Sequence, residues 1–172
     1  MKVLLLILSI FSIEFCGAQK VRPVSLEIGG QFNFRTEGLG MNDAGLGFEA
    51  RALFPAAKRL KLVAETGVNA FIGNKLLIYP GEGRQNETAM DWKFQAGPQV
   101  NFSRKIAASF TYGLNHYSYA MPGYDNAGGY TARILGYSGK RNRLVTSLFL
   151  SRIHSQTAPI RFMGFNLAYR LF

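Results

Sequence analysis

A chain of 172 residues with 20 Lys and Arg against 10 Asp and Glu is one domain in size and strongly basic, with a net charge of +10. Its single cysteine excludes an internal disulfide, and two histidines with no second cysteine exclude a transition-metal cluster and leave no cofactor implied. The basic residues are scattered or paired in turns and build no basic helix, so nucleic acid is not the expected partner.

The N-terminus reads as a targeting segment. Met1 and Lys2 give a positive start, "VLLLILSIFSI" an apolar core too short to span a bilayer as a helix, and "CGA" small residues before Gln19. This predicts a signal peptide over 1–18, cleaved after Ala18, and a mature domain over 19–172 without cysteine. A lipoprotein signal would need a small residue before Cys16, where Phe15 stands. Export also argues against nucleic acid and makes phosphate-bearing lipid headgroups the natural anionic neighbour. No later apolar run has the length of a transmembrane helix.

From Val24 onward the chain alternates with period two. In "VSLEIGGQFNFR" Val24, Leu26, Ile28, Phe32 and Phe34 share one face, and Glu27, Gln31, Asn33 and Arg35 the other. "LGFEARALF" sets Phe48, Ala50, Ala52 and Phe54 against Glu49 and Arg51. "LKLVAETGVNAFI" sets Leu60, Leu62, Ala64 and Val68 against Lys61, Glu65 and Asn69. After a polar loop over about 73–89, "MDWKFQAGPQVNF" opposes Trp92, Phe94 and Val100 to Asp91, Lys93, Gln95 and Gln99. The fifth strand carries Ile106, Ala108, Phe110, Tyr112 and Leu114 on one face, with His116 and Ser118 next on the same parity. "YTARILGYS", bearing Arg133, is the sixth. "RLVTSLFLSR" is the seventh, with weak alternation, and "IRFMGFNLAYRLF" the eighth.

The turns after strands two, four and six are short ("PAAKR", "SRK", "GKRN"); those after one, three and five are longer and rich in Gly, Asn and Asp. This asymmetry predicts an all-β, eight-stranded antiparallel up-and-down transmembrane β-barrel with short periplasmic turns. Alternation alone also fits a soluble lipocalin-like carrier, whose apolar face points inward. Three features favour the membrane version. The polar face carries opposite charges able to neutralise one another in a narrow lumen: Glu27, Glu49, Arg51, Lys61, Glu65, Asp91, Lys93 and Arg133. Aromatics gather near strand ends, and the chain stops on its last strand. Eight strands leave an interior that side chains fill, so a plugged monomeric barrel is expected, not an open pore.

An exported chain ending in an aromatic-alternating strand and a terminal Phe resembles the small outer-membrane β-barrel proteins. The resemblance covers the whole mature chain, by pattern more than by motif. It implies integral residence in the outer membrane, contact with its lipids including lipopolysaccharide, and recognition of the last strand by the barrel-insertion machinery. Phe172 is out of phase with Tyr169 and Leu171, and Arg170 stands where that pattern expects an apolar residue.

A local resemblance is narrower. His116, Ser118, Ala120, Asn126 and Gly128 fall at the spacing of the motif of outer-membrane lipid A deacylases, barrels with a lipid-facing His and Ser. It implies acyl-ester hydrolysis with Ser118 as nucleophile and His116 as base. Tyr119 replaces the motif's Asn, Tyr130 stands where its orienting Glu belongs, and two strands follow instead of none. The expected reading is therefore a polar strand end and outer loop from His116 to Gly128, in a non-enzymatic structural or surface-interaction protein. Arg152 and Arg161 flank the last outer loop on apolar-face parity and are candidates for lipopolysaccharide phosphates.

Overall fold

The computed structural model describes residues 24–37, 44–72, 89–118, 124–154 and 159–172. The signal-peptide segment, most of the 73–89 loop, and the side chains of Glu37, Ser118 and Asp125 lie outside the described residues. Eight strands come in chain order: β1 (Ser25–Glu37), β2 (Ala44–Pro55), β3 (Leu60–Ile72), β4 (Ala89–Asn101), β5 (Ile106–Ser118), β6 (Tyr124–Ser138), β7 (Leu144–His154) and β8 (Pro159–Arg170). Each pairs antiparallel with the next, and β8 returns to β1, so the sheet is a closed barrel without an edge. Following the pairing once around from Leu26 leads to Arg161, which pairs with Glu37 on β1 past an irregularity at Arg35. That stagger of about ten residues is the tilt that closes an eight-stranded sheet.

The pleat sorts the side chains. Glu49 is 2% and Lys93 1% exposed, whereas Phe94 is 60%, Leu114 66% and Leu148 67% exposed. Among the described residues more buried side chains are polar or charged than apolar, and the large exposed ones on the strands are apolar. A soluble ligand-carrying barrel has the opposite polarity, so the lipocalin-like alternative does not describe this chain.

Register fits large residues to small ones across the lumen wall. Gly67 lies opposite Lys93, and a Cβ there would sit 3.3 Å from Lys93 Cε. Gly164 lies opposite Phe149, and a Cβ there would meet the ring at 2.6 Å. Pro98 has no N–H to give, and the β4–β5 ladder lapses between Ala96 and Gln99 before resuming. The "SRK" turn is held by Ser103 Oγ, which accepts from the backbone N–H of Lys105 and of Ile106, each at 3.1 Å.

Two expectations need correction. β6 begins at Tyr124, not Tyr130, so Asp125, Asn126 and Gly128 lie on a strand and not in a loop. Backbone pairing of Ala127 with Asn115 and Asn126 with His116 extends the hairpin upward. Arg170 is not a misplaced outward residue either. In β8 the even positions from Ile160 to Ala168 face inward, and Arg170 continues them, pairing with Glu27 across the β8–β1 seam. The strand ends there, and Leu171 and Phe172 come after it, both exposed.

Candidate functional site: the lumen plug and the rims

Glu27, Arg51 and Glu65 are direct neighbours on β1, β2 and β3. Arg51 Nη1 donates to Glu27 Oε2 at 2.8 Å, and its Nε lies 3.3 Å from Glu65 Oε2. Lys93 Nζ reaches Glu49 and, at 3.2 Å, Glu65. Arg133 Nη2 donates to Glu49 Oε2 at 2.7 Å, and Arg170 Nη2 to Glu27 Oε1 at 2.6 Å. Three carboxylates are thus enclosed by four cations. Such a cluster is tolerated only because each charge faces an opposite one; an unpaired charge here costs several kcal/mol.

A chain of amides continues from it. Thr111 Oγ1 lies 2.9 Å from Glu65 Oε1 and 3.0 Å from Gln95 Oε1, its one proton serving one of them at a time. Gln95 donates to Asn115 at 2.9 Å, Asn115 to Asp91 at 2.8 Å, and Asn69 to the other Asp91 oxygen at 3.1 Å. Asn33 and Gln31 donate to Asn69. Asp91 is therefore held by amides, apart from the cations of the cluster. Lys61 also stands apart. It is half-buried at the start of β3 and makes no ion pair with any described residue.

Apolar packing closes both ends. Phe71, Tyr117, Phe149, Ile153, Ile160 and Phe162 cluster toward the long-loop end. Ala107, Leu135, Tyr137, Val145 and Ala168 cluster toward the short-turn end. The cations bind to these rings as well as to acids: Arg133 stands 5.0 Å from the Phe149 centroid, Arg35 5.3 Å from Phe71 and Arg170 4.4 Å from Tyr137. Arg35 Nη2 also donates to Tyr117 Oη at 2.7 Å. Arg35 and Arg170 carry as much of the plug as the charges singled out from the pattern. Arg35 was visible on the polar face of its strand, and only the β8 parity would have exposed Arg170.

At the outer rim, His116 is on the exterior face of β5, beside Trp92 of β4 and Asn126 of β6. Its Nδ1 lies 2.8 Å from the side-chain amide of Asn126. Spacing alone did not show that Asn126 contacts His116. Ser118 closes β5 in backbone pairing with Met90 and Tyr124, two positions from His116 on the same parity. Tyr130 stacks on Phe110 at 5.6 Å and meets His154 at 5.9 Å, an aromatic patch and not an acid site. Arg152 and Arg161 are direct cross-strand partners on the exterior of β7 and β8, both half-buried.

No protein-family model and no curated protein matches the chain. Among solved structures it is similar to Ail, the attachment invasion locus protein of Yersinia pestis, crystallised with the heparin analogue sucrose octasulfate. The TM-score is 0.56 at 12% identity, over 86% of this chain and 97% of that one. The Yersinia pestis outer membrane protein Ail in a phospholipid bilayer nanodisc gives 0.58 at 12% identity, over 86% and 98%. A de novo designed transmembrane β-barrel gives 0.52 at 11% identity, over 87% and 98%. At these identities the likeness is one of fold: the chain has the closed eight-stranded barrel of outer-membrane proteins.

Proposed function

We propose that the protein is an integral, monomeric, non-enzymatic β-barrel of a bacterial outer membrane. Its lumen serves as a structural plug and its outer rim as a contact surface. The observation that carries this reading is the apolar belt on the exterior of a closed barrel whose central charges, three carboxylates and four cations, pair inside the lumen. In hydrocarbon an unpaired backbone amide costs several kcal/mol, and only a closed sheet avoids that cost. Lipopolysaccharide phosphate is the proposed partner of Arg152 and Arg161. The two guanidinium groups stand side by side on the exterior, where one phosphate can accept charge-assisted hydrogen bonds from both.

The test is envelope fractionation of the expressed chain with gel mobility before and after heating. The expected result is recovery with outer membranes, a mature N-terminus at Gln19 and faster migration when unheated. Recovery in the soluble periplasmic fraction would overturn the membrane reading.

A second reading, a lipid A deacylase-like hydrolase, is favoured by the His116–Asn126 contact, which holds the imidazole ring beside Ser118 on one face of β5. A neutral amide neither enforces the needed tautomer nor stabilises the imidazolium as a carboxylate does. In a Ser–His–acid triad, amide for carboxylate costs about 10⁴ in kcat. The purified barrel is therefore expected to release no fatty acid from lipid A in mixed micelles. Release abolished by both Ser118→Ala and His116→Asn would establish the hydrolase instead.

A further inference from the structure

The end of the barrel where β1 begins and β8 finishes carries the short turns, and there a cavity of about 400 Å³ opens between them. Lys58, Arg59, Lys61 and Arg104 line it, over a floor that includes Tyr137 and Arg170. The floor is fixed. Arg170 is bound to Glu27 and lies over the Tyr137 ring, and the Tyr137 hydroxyl accepts from Gln99 at 2.9 Å. The four wall cations have no carboxylate partner among the described residues, in contrast to the lumen cations Arg51, Lys93 and Arg133. The nearest acid is Glu27, which attracts Lys61 from below the floor but has its two oxygens taken by Arg51 and Arg170. The acidic side chains among the described residues are Glu27, Glu49, Glu65 and Asp91, and all four are buried inside the barrel. Four like charges converging on one concavity raise its potential and repel one another until an anion enters.

The lining also supplies directional groups. Ser103 belongs to it, and its oxygen already accepts two backbone N–H groups, which leaves the hydroxyl proton to donate. Two guanidinium forks and two ammonium groups match a tetrahedral oxyanion with several acceptor oxygens better than a single carboxylate. The volume exceeds that of one small ion and suits a substituted or doubled phosphate.

We propose that this mouth is a binding site for a phosphate-bearing anion, held by Lys58, Arg59, Lys61 and Arg104 above the Arg170–Tyr137 floor. The chemistry has two sources: the headgroup of a phospholipid in the adjoining leaflet, or a soluble phosphorylated compound. Only the first rests on the membrane reading, so the site can be tested independently of it.

The experiment uses the folded mature chain in maltoside micelles, which contain no phosphate, titrated with pyrophosphate at constant ionic strength. Calorimetry and backbone amide shifts are the readouts. The expected result is saturable binding with shifts confined to the turns around 58–61 and 101–105 and to Arg170. Lys61→Gln combined with Arg104→Gln should weaken it at least about tenfold. Lys140→Gln, which removes one charge from the β6–β7 turn outside the cavity lining, should leave it unchanged. Heat-dependent gel mobility checks that each variant is folded, and Lys58→Gln with Arg59→Gln, both in an exposed turn, serves if the first pair is not. Repeating the titration in phosphatidylglycerol nanodiscs separates the sources. Loss of pyrophosphate binding there, with the turn amides already shifted, assigns the site to headgroups; retained binding assigns it to a soluble phosphate. Absence of saturable binding in micelles, or equal binding by a folded double variant, overturns the proposal.

Discussion

The two walls of the lumen are built differently. From β1 to β5 the inward positions carry nearly all the charge and amide groups, from Glu27 and Arg35 through Arg51, Glu65 and Asn69 to Asp91, Lys93 and Asn115. From β6 to β8 they carry mostly apolar groups, Leu135, Val145, Phe149, Ile153, Ile160 and Phe162, with Arg133 and Arg170 as the inserted cations. The plug forms where the walls meet. Lys93 reaches across from the polar wall until its charged end stands near the ring of Phe149 on β7 and binds Glu49, while Arg35 stays with Phe71 and the Tyr117 hydroxyl on its own wall. The polar wall supplies directionality and the apolar wall supplies filling. Neither alone would seal a barrel whose outside is already committed to lipid.

The contrast sets the order of expected effects. Arg51→Met leaves Glu27 and Glu65 short of their shared cation and should cost about 3–5 kcal/mol of folding stability. Urea titration of the barrel in lipid vesicles measures it, and a loss below about 1 kcal/mol would show that the ion cluster is incidental. On the exterior, Phe94→Arg places a charge at mid-belt and should cost about 2–4 kcal/mol. Gln95→Asn, one residue away on the inner face, should matter much less in the same assay, and equal effects would mean the faces are assigned wrongly. On the apolar wall, Phe149→Leu keeps the volume roughly but removes the ring under Arg133, for about 1–2 kcal/mol. A larger loss than for Arg51→Met would reverse the ranking of the walls. His116→Asn should change stability by less than about 0.5 kcal/mol, because the exposed rim loses one solvent-replaceable hydrogen bond.

The same contrast explains what the sequence disclosed. Strands β1 to β5 alternate plainly because their two faces differ in polarity, and their charges could be assigned to one face by parity alone. In β7 Val145, Phe149 and Ile153 face in while Leu144, Leu148 and Leu150 face out, so both faces are apolar and the period fades. The start of β6 was illegible for another reason. "YDNAGG" has turn composition, yet Gly129 opposite Gly113 and Asn126 opposite His116 let it extend the hairpin. Partners across the lumen belong to three dimensions. Nothing local links Arg170 to Glu27, or Arg133 to Glu49, at separations of 143 and 84 residues. Asn126 as the partner of His116 was within reach, since the motif spacing already placed it, but only the β5–β6 register brings the two side chains together.

The chain has one tryptophan, Trp92, on the exterior of β4 beside His116 and 46% exposed in the isolated barrel. Its fluorescence in vesicles, quenched by lipids brominated at graded depths and by aqueous iodide, tests the inside-out barrel without any mutation. An exterior committed to lipid predicts strong quenching by bromines on the acyl chains and weak quenching by iodide. The bromine effect should be strongest at shallow positions, because Trp92 lies near the loop end of its strand. Efficient iodide quenching with no response to brominated lipid would put this face in water and contradict the inside-out barrel.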